Sequence, residues 1–136
     1  MYLIKPVDFG YYLTFAGFID EEEMQSWHNE SKRALEDAPE AFGVFVDMRT
    51  LRPLPPEARV IMEEAQAFYK DKGMTRSVVI LNDPITTMQF KNIAQKSGIF
   101  EWERYIDAST TYDWKEIGMD WVINDVDTIG RILEII

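Results

Sequence analysis

The chain has 136 residues, 46% hydrophobic and 28% charged, enough for one ordinary domain with a buried core and too apolar for a disordered tail. It has no cysteine, which excludes a disulfide framework, a thiolate metal site and a thiol nucleophile. Fourteen basic against 24 acidic residues leave a net charge of −10, which repels phosphate backbones and anionic membranes, so no nucleic-acid partner is expected.

In chain order, Tyr2 to Val7 and Tyr11 to Ile19 are rich in aromatic and β-branched residues, and Asp8-Phe9-Gly10 separates them, which predicts an antiparallel hairpin. Lys5, Pro6 and Asp8 interrupt the first residues. No apolar run approaches the roughly 18 residues of a membrane span, so the expectation is a cytoplasmic chain without integral membrane association. Asp20 followed by Glu23 forms a capping box, and Ile19 and Met24 are spaced as a hydrophobic staple around it. Met24, Trp27, Ser31, Ala34, Leu35 and Ala38 continue as the core-facing stripe of a first helix.

Phe42 to Val46 is continuously apolar and ends in Asp47, the pattern of a central strand buried on both faces. A loop from Arg49 to Leu54 leads to Pro55-Pro56, which open a helix with Ala58, Ile61, Met62, Ala65, Phe68 and Tyr69 on one side and Gly73 at its end. Ser77 to Leu81 is a second buried strand. Asn82-Asp83-Pro84 then caps a helix from Ile85 to Ser97, stopped by Gly98. A short strand around Arg104-Tyr105-Ile106 precedes a helix bearing Trp114, Ile117, Gly118, Trp121 and Val122 on one face. Val126, Ile129, Leu133 and Ile136 carry the spacing into a C-terminal helical extension over 124–136. The order is ββαβαβαβα in a single α/β domain over 1–136. Its mixed sheet starts with an antiparallel hairpin, continues in parallel strands, and has helices packed against it.

Gly43-Val44-Phe45-Val46-Asp47-Met48-Arg49 followed by a loop and a long helix, Val78-Val79-Ile80-Leu81, and Trp102-Glu103-Arg104-Tyr105-Ile106-Asp107 together resemble the SpoIIAA/STAS domains. The likeness is to the divergent SpoIIAA-like branch grouped with CRAL-TRIO lipid-binding domains, and it covers nearly the whole chain. It implies a regulatory module that binds a protein partner. In that family a phosphorylatable serine in a D-S-[ST]-G-like stretch opens the helix after the central strand. Here the stretch reads Leu51-Arg52-Pro53-Leu54-Pro55-Pro56-Glu57-Ala58, with no Ser or Thr, and Thr50 lies several residues early. A phosphorylation switch at that place is unsupported.

The loop Arg49 to Pro56 gathers two arginines and three prolines in an acidic protein. Prolines lower the ordering cost of a loop on binding, and arginines beside a helix N-terminus suit a carboxylate or phosphate. Arg49, Thr50, Arg52, Leu54, Pro55, Pro56 and, one turn into the helix, Arg59 are therefore the expected partner-binding residues. The competing reading pairs Arg49 and Arg52 with Asp47 or nearby glutamates.

His28 is the lone histidine and reads as a helix-surface residue; no G-x-S-x-G elbow accompanies it, so no catalytic residue is assigned. A single histidine without cysteine and without a D-x-[DN]-x-[DN]-G loop leaves no metal site, and no glycine pattern cradles a nucleotide, so no cofactor is expected. Glu101 and Glu103 at alternate positions read as a solvated strand edge. The expectation is a non-enzymatic interaction module, with homodimerisation as an open variant. The alternative is an apolar small-molecule or lipid-binding domain, its pocket drawn from Tyr11, Tyr12, Phe15, Phe18, Met24, Trp27, Met62, Phe68, Met88 and Phe90.

Overall fold

Alternating burial along Tyr2–Val7 (β1) and Gly10–Gly17 (β2) marks a two-layered hairpin, and the strands pair antiparallel from Tyr2↔Phe15 to Val7↔Gly10. The structure is a computed structural model that describes residues 1–129. Gly10 (φ +149°) is required at the turn: a Cβ there would collide with the carbonyl oxygen of Gly43 on the next strand.

Asp20 caps α1 (Glu21–Ala34) by accepting from the Glu23 N–H at 2.8 Å, as the capping box predicts. The chain then enters β3 (Phe42–Leu51), α2 (Pro56–Lys72), β4 (Met74–Leu81), α3 (Pro84–Ser97), β5 (Glu103–Asp107) and α4 (Trp114–Asn124). Asp83 caps α3 through the N–H groups of Ile85 and Thr86. The predicted order ββαβαβαβα is the observed one, and the five strands lie side by side in chain order, with only β1 antiparallel.

Side-chain alternation splits the core between the two faces of this sheet. Leu13 and Phe15 of β2, Val44 and Val46 of β3 and Val79 and Leu81 of β4 meet α1, α2 and α3. Phe45, Val78, Ile80 and Ile106 point the other way and meet Ile117, Trp121 and Val122 of α4. β3 and β4 are thus covered on both sides, which is why their sequences are unbroken apolar runs. Arg76 donates to the carbonyls of Trp121 and Val122, satisfying groups that the C-terminal turn of α4 leaves without helical partners. Of the expected C-terminal extension, 130–136 lies outside the described residues, while Ile129 packs on the α4-side core. No helix among the described residues is long and apolar enough to cross a membrane.

Candidate functional site

Because β2, β3 and β4 run parallel, the segments that follow them gather at one rim of the sheet, where α1, α2 and α3 begin. The rim is stitched together by hydrogen bonds. The Arg52 N–H donates to the Gly17 carbonyl at 3.0 Å, and Asn82 Nδ2 donates to the Arg49 carbonyl at 3.1 Å. The Leu54 N–H donates to Gln89 Oε1 at 2.8 Å, while Gln89 Nε2 donates to the Leu54 carbonyl at 3.1 Å.

The expected loop from Arg49 to Leu54 is shorter than the sequence suggests. β3 continues through Leu51, because β2 offers partners as far as Gly17: Ala16 pairs with Thr50 and Gly17 with Leu51. Arg49 and Thr50 are strand residues. The Arg49 guanidinium is engaged within the chain, with Nε and Nη2 donating to the two Asp47 carboxylate oxygens at 3.0 Å each and its plane 4.3 Å from the Trp114 ring centroid. These hydrogen bonds to Asp47 raise the pKa of an already basic group. Arg49 therefore locks the end of β3 to α4, on the sheet face away from α1, α2 and α3.

Leu54 is buried, held by Gln89, and Pro55 is half-buried as the α2 N-cap, with no side-chain cap bond. Arg52 and Pro56 are exposed, and among the described residues Arg52 makes no ion pair. Arg59 is half-buried; its Nε is enclosed without a hydrogen-bond partner, and it makes no ion pair either. Of the seven expected binding residues, Arg52 and Pro56 are exposed and Pro55 and Arg59 half-buried at the start of α2, Leu54 packs beneath them, and Arg49 and Thr50 lie in β3, where both are exposed.

The sequence reading overlooked the neighbouring surface. A groove between α2 and α3 is lined by Pro56, Arg59, Val60, Glu63, Asn92 and Lys96 together with Gln89 and Ile93. Its Val60 is 56% exposed, and on α3 Ile85 is 59% and Met88 62% exposed. The available signal was phase: Ile85 and Met88 are one turn apart but off the inward stripe of Phe90, Ile93 and Ala94.

Two further expectations are corrected. His28 is buried, not on the helix surface, because α1 is embraced on that side by Phe68 of α2, whose ring lies 6.0 Å away; burial, and then Lys32, lower its pKa. Glu103 is not on a solvated strand edge. It is 4% exposed, and burial pushes its carboxyl up to about 8, offset in part by the hydrogen bond from Tyr105 and by the nearby Ser77 hydroxyl. The Tyr105 hydroxyl donates to Glu103 Oε2 at 3.0 Å, and burial, followed by Glu103, drives the phenol strongly upward.

Glu103 lines an interior cavity of about 40 Å³ under α1, α2 and α3. Phe15, Trp27, Met62 and Phe90 of the expected apolar pocket also line it, whereas Phe18 and Met88 stand exposed at the surface. Such a volume holds a few water molecules and no acyl chain. Among the described residues, no three His, Asp or Glu side chains converge as a metal-ligand set. Neither a protein-family model nor a curated protein matches this chain.

Proposed function

We propose that the chain is a non-enzymatic regulatory interaction module of SpoIIAA/STAS type that works without a phosphoacceptor at the start of α2. The observation that carries this reading is the construction of that helix start. Pro55 and Pro56 occupy the N-cap and first helical position, no hydroxyl stands there, and Thr50, though exposed, lies back in β3 with its backbone paired to Ala16. What remains is a stiff, exposed corner bearing Arg52, Pro56 and Arg59 at the rim of the parallel strands, where open α/β sheets commonly bind their ligands. An acidic chain that places unpaired arginines at one corner suits an acidic or amphipathic protein surface. The lipid-binding alternative draws no support from a cavity of about 40 Å³.

A photo-crosslinking residue placed at position 52 or 56 and expressed in native cells tests the reading. It should trap one discrete protein that Arg52→Glu abolishes, while the same probe at Glu30 on α1 traps none. Equal labelling from all three positions, or none from any, would remove this corner as an interaction site.

A further inference from the structure

The groove between α2 and α3 differs in charge from the one between α1 and α2. α3 has no acidic residue and turns Lys96 into this groove, while its Lys91 lines a separate hollow beside Tyr105. The neighbouring groove between α1 and α2 is lined by Glu21 and Glu22 together with Gln25, Ser26, Asn29 and Ile61. The α2–α3 groove has Arg59 and Lys96 in its walls against the single acid Glu63.

Arg59 is poised for an acceptor that none of the described residues supplies. Its Nε is enclosed and without a partner, and Glu63, one turn further along α2, makes no ion pair with it. A buried donor left unpaired is costly, so a carboxylate entering the groove would gain more than an ordinary surface contact does. Pro56 and Val60 of α2 line the groove with this cation, and the exposed Ile85 and Met88 of α3 continue the helical phase of groove-lining Asn92 and Lys96. Apolar side chains around one unsatisfied cation match an amphipathic helix with acidic flanks, which lays its apolar stripe into a groove between two helices.

We propose that the groove between α2 and α3 receives an acidic amphipathic helix of a partner protein, with a carboxylate on Arg59 and apolar side chains against Pro56, Val60, Ile85 and Met88. This rests on the interaction-module reading and moves the contact from the loop itself to the helices behind it.

The test is an NMR titration of the full chain with a synthetic helical peptide bearing leucines at i, i+3, i+4 and i+7 and glutamates on both flanks. A peptide with lysines for the glutamates serves as the control. The Arg59 Nε–H resonance and the amides of α2 and α3 should shift with the acidic peptide and not with the basic one. Affinity should fall as salt rises. Arg59→Gln should weaken binding about tenfold, as should Val60→Asp, while Glu22→Gln in the other groove should not change it. Shifts centred on α1, equal binding of both peptides, or the same Arg59 response to inorganic phosphate alone would overturn the proposal. If the photo-crosslink at position 52 persists while the peptide leaves α2 and α3 unmoved, the groove fails and the interaction module stands; if the crosslink fails as well, both readings fall.

Discussion

The side chain of Gln89 on α3 acts as a surrogate β-strand for Leu54, meeting both its N–H and its carbonyl, at 2.8 and 3.1 Å. Through this bridge α3 holds the proline-rich segment that starts α2. Gln89→Ala leaves two part-buried backbone groups unpaired, so a loss of roughly 1–3 kcal/mol is expected in urea unfolding. Hydrogen exchange at the Leu54 amide should accelerate beyond what global unfolding explains. An unchanged Leu54 exchange rate would show that the bridge is not formed in solution.

Arg49 is expected to act in stability and not in recognition. Arg49→Ala removes the bidentate contact with Asp47 and the stacking on Trp114. The pair is partly exposed, so roughly 1 kcal/mol and a melting temperature lower by about 4 °C are expected. Peptide affinity should stay as in the parent chain. Loss of affinity at unchanged melting temperature would return Arg49 to the binding surface.

Glu103 makes stability fall with pH from the weakly acidic through the neutral range. Its carboxyl is pushed up to about 8 in the folded chain from 4.5, so between those values the folded state holds a proton that the unfolded state has released. Its contribution therefore weakens as pH rises through that window, by about 1.4 kcal/mol per unit, and levels off above the folded value. Glu103→Gln keeps the shape and removes the titration. Urea midpoints at pH 5, 7 and 9 should converge for the variant relative to the parent; parallel profiles would place a charged carboxylate in the core at neutral pH.

His28 acts in the opposite direction. Burial lowers its pKa below 6.5, and neither ring nitrogen has a partner. In the window below 6.5 the unfolded chain binds a proton that the folded chain refuses, so this residue makes stability rise with pH up to that value. His28→Phe removes two unpaired polar atoms and the titration together. Its stability should match or exceed the parent at pH 7 and flatten the acid limb; an unaltered acid limb would rule His28 out as the source.

Gly118 sets how closely α4 approaches the sheet. A Cβ there would lie 2.7 Å from Cε2 of Phe45 and 3.3 Å from Val78 Cγ1. The Phe45 ring cannot easily move aside, because Tyr12 stacks on it at 4.9 Å between centroids. Gly118→Ala should therefore cost about 1–3 kcal/mol, although the same change at an open helix position gains about 1. Equilibrium unfolding measures the sign directly.

Which parts of this were legible beforehand follows the range of the interactions. Capping at Asp20 and Asp83 and the apolar runs of β3 and β4 are decided by residues within a turn or a few positions, and they were read correctly. β3 is longer than predicted because Arg49 and Thr50 look like loop residues, while the residues that extend the ladder past them, Ala16 opposite Thr50 and Gly17 opposite Leu51, lie more than thirty positions earlier. Glu103 was misread for a related reason: alternation along a five-residue strand indicates which side chains share a face and says nothing of whether a helix covers that face.

The sequence by itself determined the class of this protein: an acidic, cysteine-free α/β chain whose element order, hairpin start and proline-opened α2 follow from hydrophobic period, turn chemistry and caps. Only the tertiary structure decided where the cations are available. Asp47 and Trp114 engage Arg49, Gln89 fixes the loop, and the packing of α2 beside α3 leaves Arg59 Nε enclosed without an acceptor among the described residues. The physical reason is that secondary structure is chosen largely by local sterics and periodicity, whereas the availability of a charge depends on every group brought within a few ångströms of it by chain segments distant in sequence.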